Sequence, residues 1–111
     1  MSVAFGGFNT ETATFRVTEE IGKGTLIKIS DNATVAACGD GEDFCGIVEN
    51  GDNAYAAVQI YGAVTAKFSG TAPELGYTAL VAGADGVKAG GSREYLVVAV
   101  DEAAGTVTFL M

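Results

Sequence analysis

Tyr55-Ala56-Ala57-Val58-Gln59-Ile60-Tyr61-Gly62-Ala63-Val64-Thr65-Ala66-Lys67-Phe68-Ser69 alternates strictly between small or apolar and more polar residues. Ala56, Val58, Ile60, Gly62, Val64, Ala66 and Phe68 share one parity, and Tyr55, Gln59, Tyr61, Thr65 and Lys67 fall on the other. A period of two is the signature of a half-buried strand. The alternation crosses Gly62 without a slip, so the stretch reads as one long strand bent at a glycine or as two strands sharing a corner. Small barrels and orthogonal sandwiches turn their corners in this way.

The flanks repeat the pattern. Thr12 to Thr18 alternates with Ala13, Phe15 and Val17 on one face. Thr25–Ser30, Thr34–Ala37, Phe44–Val48, Tyr77–Ala82, Glu94–Val100 and Thr106–Met111 are further segments of strand length. Between them lie turn signals, among them Asp31-Asn32, Gly83-Ala84-Asp85-Gly86 and Asp101-Glu102-Ala103-Ala104-Gly105. Ala89-Gly90-Gly91-Ser92 reads as another loop. The expected fold is all-β: about eight to ten short antiparallel strands in a small compact β-barrel or orthogonal β-sandwich. Residues 12–111 form a single β domain, and residues 1–11 a flexible N-terminal arm. Its core is expected to hold Phe15, Val17, Ile27, Ile29, Val58, Ile60, Val64, Phe68, Val97, Val107 and Phe109.

Composition agrees with this reading. The chain has 111 residues, of which 49% are hydrophobic and 18% charged, so general disorder is excluded. A length of this order supports one core and leaves no room for a second. Sixteen glycines with a single proline suit short strands joined by tight turns.

Charge narrows the partners. Six basic residues face 14 acidic ones, giving a net charge of −8. The bases are scattered singly, so no patch exists to neutralise a run of phosphates, and nucleic acid and anionic membrane are excluded as partners. No apolar run approaches the ~20 residues of a membrane helix, and the N-terminus carries no secretory signal. Synthesis in the cytoplasm is expected. From Ile29 to Ala66 the chain has six acids (Asp31, Asp40, Glu42, Asp43, Glu49, Asp52) and no base. This is either a solvated rim of loops or a face presented to a basic protein surface.

The chemistry of catalysis is missing. The chain has no His, the commonest acid–base partner at neutral pH. Cys38 and Cys45 lack a base to activate them and, without His or a second Cys pair, make a poor zinc site. They are expected to be reduced, although a hairpin could carry a bridge between them. Gly39-Asp40-Gly41-Glu42-Asp43 is acidic but lacks the spacing of a calcium loop, and no glycine motif cradles phosphate. No enzymatic activity, metal or cofactor is expected. Tyr55, Gln59 and Tyr61 share a strand face and form the one candidate platform for a sugar. A carbohydrate- or ligand-binding β-module of a phage or bacterial surface protein is therefore the alternative function.

Four stretches carry a resemblance: Ile21-Gly22-Lys23-Gly24-Thr25-Leu26-Ile27-Lys28-Ile29; Phe44-Cys45-Gly46-Ile47-Val48 after the acidic loop; Tyr55 to Gly62 with its glycine corner; and Glu94-Tyr95-Leu96-Val97-Val98 before the terminal hairpin. Together they make the chain, from about Glu20 to Met111, resemble the small capsid decoration (cement) proteins of tailed phages and prophages. The resemblance implies a β-rich structural protein in the virion that binds the outer surface of the shell and stabilises it. Its partner would be the major capsid protein, and it would act as a homo-oligomer, a trimer by preference. No family binding motif maps onto individual positions. In the arm, Phe5 and Phe8 flank Gly6-Gly7 and have no strand of their own to pack on, so they are the expected partner-binding anchors.

Overall fold

The computed structural model describes residues 11–111. Nine strands follow one another: β1 Glu11–Arg16, β2 Leu26–Asp31, β3 Thr34–Ala37, β4 Gly46–Gly51, β5 Tyr55–Tyr61, β6 Ala63–Lys67, β7 Gly76–Gly83, β8 Gly86–Asp101 and β9 Thr106–Leu110. The described residues contain no helix. The first five strands close into a barrel in the order β1-β3-β2-β4-β5, and the last four form a sheet in the order β6-β9-β8-β7. The all-β expectation holds, with one difference in direction. The barrel is closed by a parallel contact, Arg16 opposite Thr34, whereas every other strand pair is antiparallel.

The buried residues form two clusters, where the chain length had suggested one core. Val17, Ile21, Ile27, Val35, Val48, Ala56 and Val58 fill the barrel. Leu26 and Phe44 join Val64, Leu80, Val87, Tyr95, Val97, Val107 and Phe109 in a second cluster. The strand pattern explains how so short a chain builds both. At the start of β2, Ile27 points into the barrel and Leu26 points out onto the second sheet, so this piece of barrel wall is buried on both faces.

Two strands meeting at a corner is the arrangement found across Gly62. β5 belongs to the barrel and β6 to the second sheet, and Gly62 between them is buried with φ of +104°. A side chain at that backbone conformation would be strained. The alternation therefore continues through the corner while its buried residues change core: Val58 enters the barrel and Val64 the second cluster. Against β1, however, β5 does slip. Glu11 pairs with Tyr61 and Thr12 with Gln59, so Ile60 is the extra residue of a bulge and is exposed.

Ile29 is likewise exposed, contrary to its expected place in the core. β2 pairs with β4 only at Leu26 and Ile27, so beyond that point the strand has lost its neighbour on one side. Phe15 and Phe68 are half-buried, each packed at the margin of a cluster. The remaining expected core residues, Val17, Ile27, Val58, Val64, Val97, Val107 and Phe109, are buried.

The segment Ala89–Ser92 is not a connection between strands. β8 runs through it for 16 residues, and its partner β7 passes directly from Ala79, opposite Glu94, to Leu80, opposite Ala89. The intervening residues bulge out, with φ of +146° at Gly90 and +78° at Gly91. A bulge bends the strand that carries it, and Val87, in the first part of β8, also forms an isolated parallel bridge with Phe68, just after β6.

Gln59 supplies the donor that the corner needs. Its side-chain amide donates to the carbonyls of Tyr61 (3.2 Å) and Ala63 (3.0 Å), which flank the turn. It is only 6% exposed. Gln59→Leu keeps the volume but removes the donor from two carbonyls at a buried corner. The expected loss of folding stability is about 1–3 kcal/mol, measured by chemical denaturation, against no more than about 0.5 kcal/mol for the exposed Tyr55→Ala.

Candidate functional site

The acidic segment between β3 and β4 is not a free rim. Glu42 turns back on its own loop: its carboxylate accepts the backbone N–H of Gly39 and pairs with Lys28 on β2. Asp40 pairs with Lys88 on β8 at 2.9 Å. The backbone of the loop then docks on the end of β7, with Gly41 N–H donating to Ala82 O at 2.8 Å and Ala82 N–H to Glu42 O at 2.9 Å. Elsewhere in the acidic run, Asp52 caps its own turn by accepting the N–H groups of Ala54 and Tyr55. Asp31 accepts the N–H of Asn32. Four of the six acids are thus occupied within the chain.

Phe44 follows this loop and is buried in the second cluster. Its ring stacks on Tyr95 at 5.0 Å, and Phe109 meets both rings edge-on, at 5.9 Å and 5.3 Å. The Tyr95 hydroxyl donates to the Phe44 carbonyl at 3.0 Å. Arg93 lies over the outer side of Tyr95, 5.1 Å from the ring centre.

Cys38 and Cys45 are free thiols, each half-buried. Burial, aided by the nearby Glu42 carboxylate, pushes the Cys38 thiol up to about 11. Burial also raises that of Cys45. Both therefore stay protonated at neutral pH, and it is the thiolate that would react or bind metal. Cys38 lines an open groove of about 250 Å³ together with Leu26 and Ala82–Gly86, and that groove presents no activated nucleophile. Among the described residues no group of His, Cys, Asp and Glu is placed to hold a metal ion.

Tyr55, Gln59 and Tyr61 are not brought together as a platform. Tyr55 and Tyr61 stand at opposite ends of β5, which at ~3.3 Å per residue separates them by about 20 Å. Gln59, between them, faces the second sheet and is consumed by the corner. Phe5 and Phe8 lie outside the described residues.

One surface escaped the reading of the sequence. Leu75 and Tyr77, on either side of Gly76 at the entry to β7, are the most exposed large hydrophobic residues among those described, at 69% and 73%. Beside them an open groove of about 710 Å³ runs between the segment containing Pro73 and the β8–β9 turn. The available signal was Glu74-Leu75-Gly76-Tyr77 directly after the only proline: a large apolar residue in the loop and a second at the start of the following strand, on either side of a glycine.

With this geometry in hand, the chain can be set beside known proteins. No family model matches it, and no curated protein does. Among solved structures it is similar to the head fiber gp8.5 N base of bacteriophage phi29, with a TM-score of 0.58 over 93% of this chain and 94% of that one. Identity is 16%, so the likeness is one of fold. The neighbour is a phage head protein, and the resemblance read from the sequence falls on the same class.

The acidic loop makes a pH-dependent contribution to stability. The hydrogen bond from Lys28, then the N–H of Gly39, holds the Glu42 carboxyl below its ordinary value of 4.5. A carboxyl lowered in the folded state adds stability above its unfolded value and loses it as pH falls through the folded one. The difference in unfolding midpoint between the native chain and Glu42→Gln is expected to be full at neutral pH. It should shrink once the pH drops below 4.5, and shrink also in high salt because the pair is exposed.

Proposed function

We propose that this protein is a non-enzymatic structural component of a phage virion that binds the outer surface of the capsid and stabilises the shell. The observation that carries the reading is the fold shared with a phage head fiber base over nearly the whole of both chains. The sequence resemblance to capsid decoration proteins supports it, as do two thiols held protonated and the lack of any His. The partner is the major capsid protein, and the protein acts as a homo-oligomer, a trimer by preference.

The mechanism is mass action. A ligand that binds only the assembled lattice stabilises it by RT ln(1 + [L]/Kd), about 2.7 kcal/mol per site at a hundredfold excess over Kd. Many equivalent sites repeat the gain across the shell, and an oligomer that engages several subunits at once adds avidity. Phe5 and Phe8 of the arm serve as further anchors.

Co-sedimentation with shells assembled from the major capsid protein of the same genome tests this reading. Saturable binding to the assembled shell, with a raised temperature of shell disruption, is expected. Absence of binding to any assembled form of that shell contradicts it. Removing residues 2–10 leaves β1 intact and is expected to weaken binding without changing the unfolding midpoint; full-strength binding takes the arm out of the mechanism.

A further inference from the structure

Leu75 and Tyr77 are exposed for a structural reason. β7 is an end strand of its sheet, and the acidic loop covers its outer edge only near Ala82. From Gly76 to Ala79 that edge has no backbone partner among the described residues. An unpaired strand edge is a template for another extended chain. The adjoining groove has apolar walls from Pro73, Leu75 and Val100, and a rim made of the carboxylates of Glu74, Asp101 and Glu102. None of these three forms an ion pair; the ion pairs among the described residues use Asp40, Glu42 and Asp85. No Lys or Arg lines the groove.

We propose that this groove, continued by Tyr77 and the open half of β7, is the docking surface for the shell, and that it takes an extended segment bearing Lys or Arg beside an apolar side chain. The inference rests on the capsid-binding reading above and assigns it a surface. The chemistry of the occupant follows from the walls. Exposed Leu and Tyr gain most by burial against an apolar partner, and Tyr is among the residues that dominate interface energies. The three carboxylates around them stand outside any ion pair, although Asp101 also accepts the N–H of Ala104 at 3.1 Å, and together they select cations and repel acidic surfaces. A second copy of this chain is a poor occupant, because it carries a net charge of −8 and would bring a matching carboxylate rim. The other exposed large hydrophobics among the described residues, Ile29, Tyr55, Ile60 and Tyr61, sit on the barrel strands and do not line this groove.

A photo-crosslinking amino acid placed at Leu75, and for comparison at Tyr55, locates the contact on shells of the major capsid protein. Adducts from position 75 on a Lys- or Arg-bearing segment of the shell protein, with none from position 55, are the expected result. The paired reversal Glu74→Lys and Glu102→Lys should weaken co-sedimentation about tenfold or more, as should Leu75→Ser. Both changes are at the surface and should leave the unfolding midpoint in place. Binding of the unaltered chain should fall as salt rises. Full-strength binding by the Glu74→Lys, Glu102→Lys chain, or cross-links from position 55 alone, overturns the groove assignment while capsid binding stands. Failure of the unaltered chain to bind the shell removes both.

Discussion

The stack of Phe44 on Tyr95, closed by the edge of Phe109, sits where barrel and second sheet meet, and the rest of the molecule is arranged around it. The three residues come from the lead-in to β4, the middle of β8 and the terminal strand β9, 65 positions apart at the extremes. Aromatic pairs at such distances add about 0.5–1.5 kcal/mol each beyond the apolar area they bury. The Tyr95 hydroxyl makes the seam specific: its bond to the Phe44 carbonyl fixes which ring faces which. Once Phe44 is held there, the preceding loop has one place to go, and its N–H and C=O groups complete the end of β7. The free half of that same edge is left to carry Leu75 and Tyr77.

How far the sequence disclosed this depends on whether a residue's environment is local or distant. The period of two across Tyr55–Ser69 found both strands and the corner between them, because alternation and a glycine are properties of consecutive residues. It could not show that the inward residues on either side of Gly62 enter different cores, nor that Ile60 is the extra residue of a bulge. Both depend on a partner strand about 40 positions or more away (β9 for β6) or on the register with β1. Phe44 and Tyr95 were read as strand residues but not as core. Each is the lone aromatic in its segment, and nothing nearby announces that they meet. The double glycine at Gly90-Gly91 was legible as a break in regular structure. That the break is a bulge within one long strand was not, since β7 decides it.

The candidate site was legible in chemistry more than in place. The lack of His is a statement about residue types and needs no fold, whereas the burial that raises the thiols of Cys38 and Cys45 appears only in the structure. The acidic run was recognised, but the partners of Glu42 and Asp40, Lys28 and Lys88, lie outside the run on β2 and β8, so these two pairings appear only on folding. Tyr55, Gln59 and Tyr61 share a parity in the sequence, but the bulge at Ile60 shifts the register before Tyr61, so parity makes them neither one face nor neighbours. The groove beside Leu75 is assembled from a loop and a distant hairpin turn, and no window of sequence contains both.

If the aromatic seam makes barrel, acidic loop and second sheet one cooperative unit, weakening it must be felt equally on both sides. Native-state hydrogen exchange on Phe44→Leu measures this directly, by following the Val58 amide in the barrel and the Phe109 amide in the second sheet. The account predicts that both lose the same opening free energy, about 1–3 kcal/mol for a core change of this kind. Loss of protection at Phe109 with Val58 unchanged would contradict it, and would show two units that fold apart.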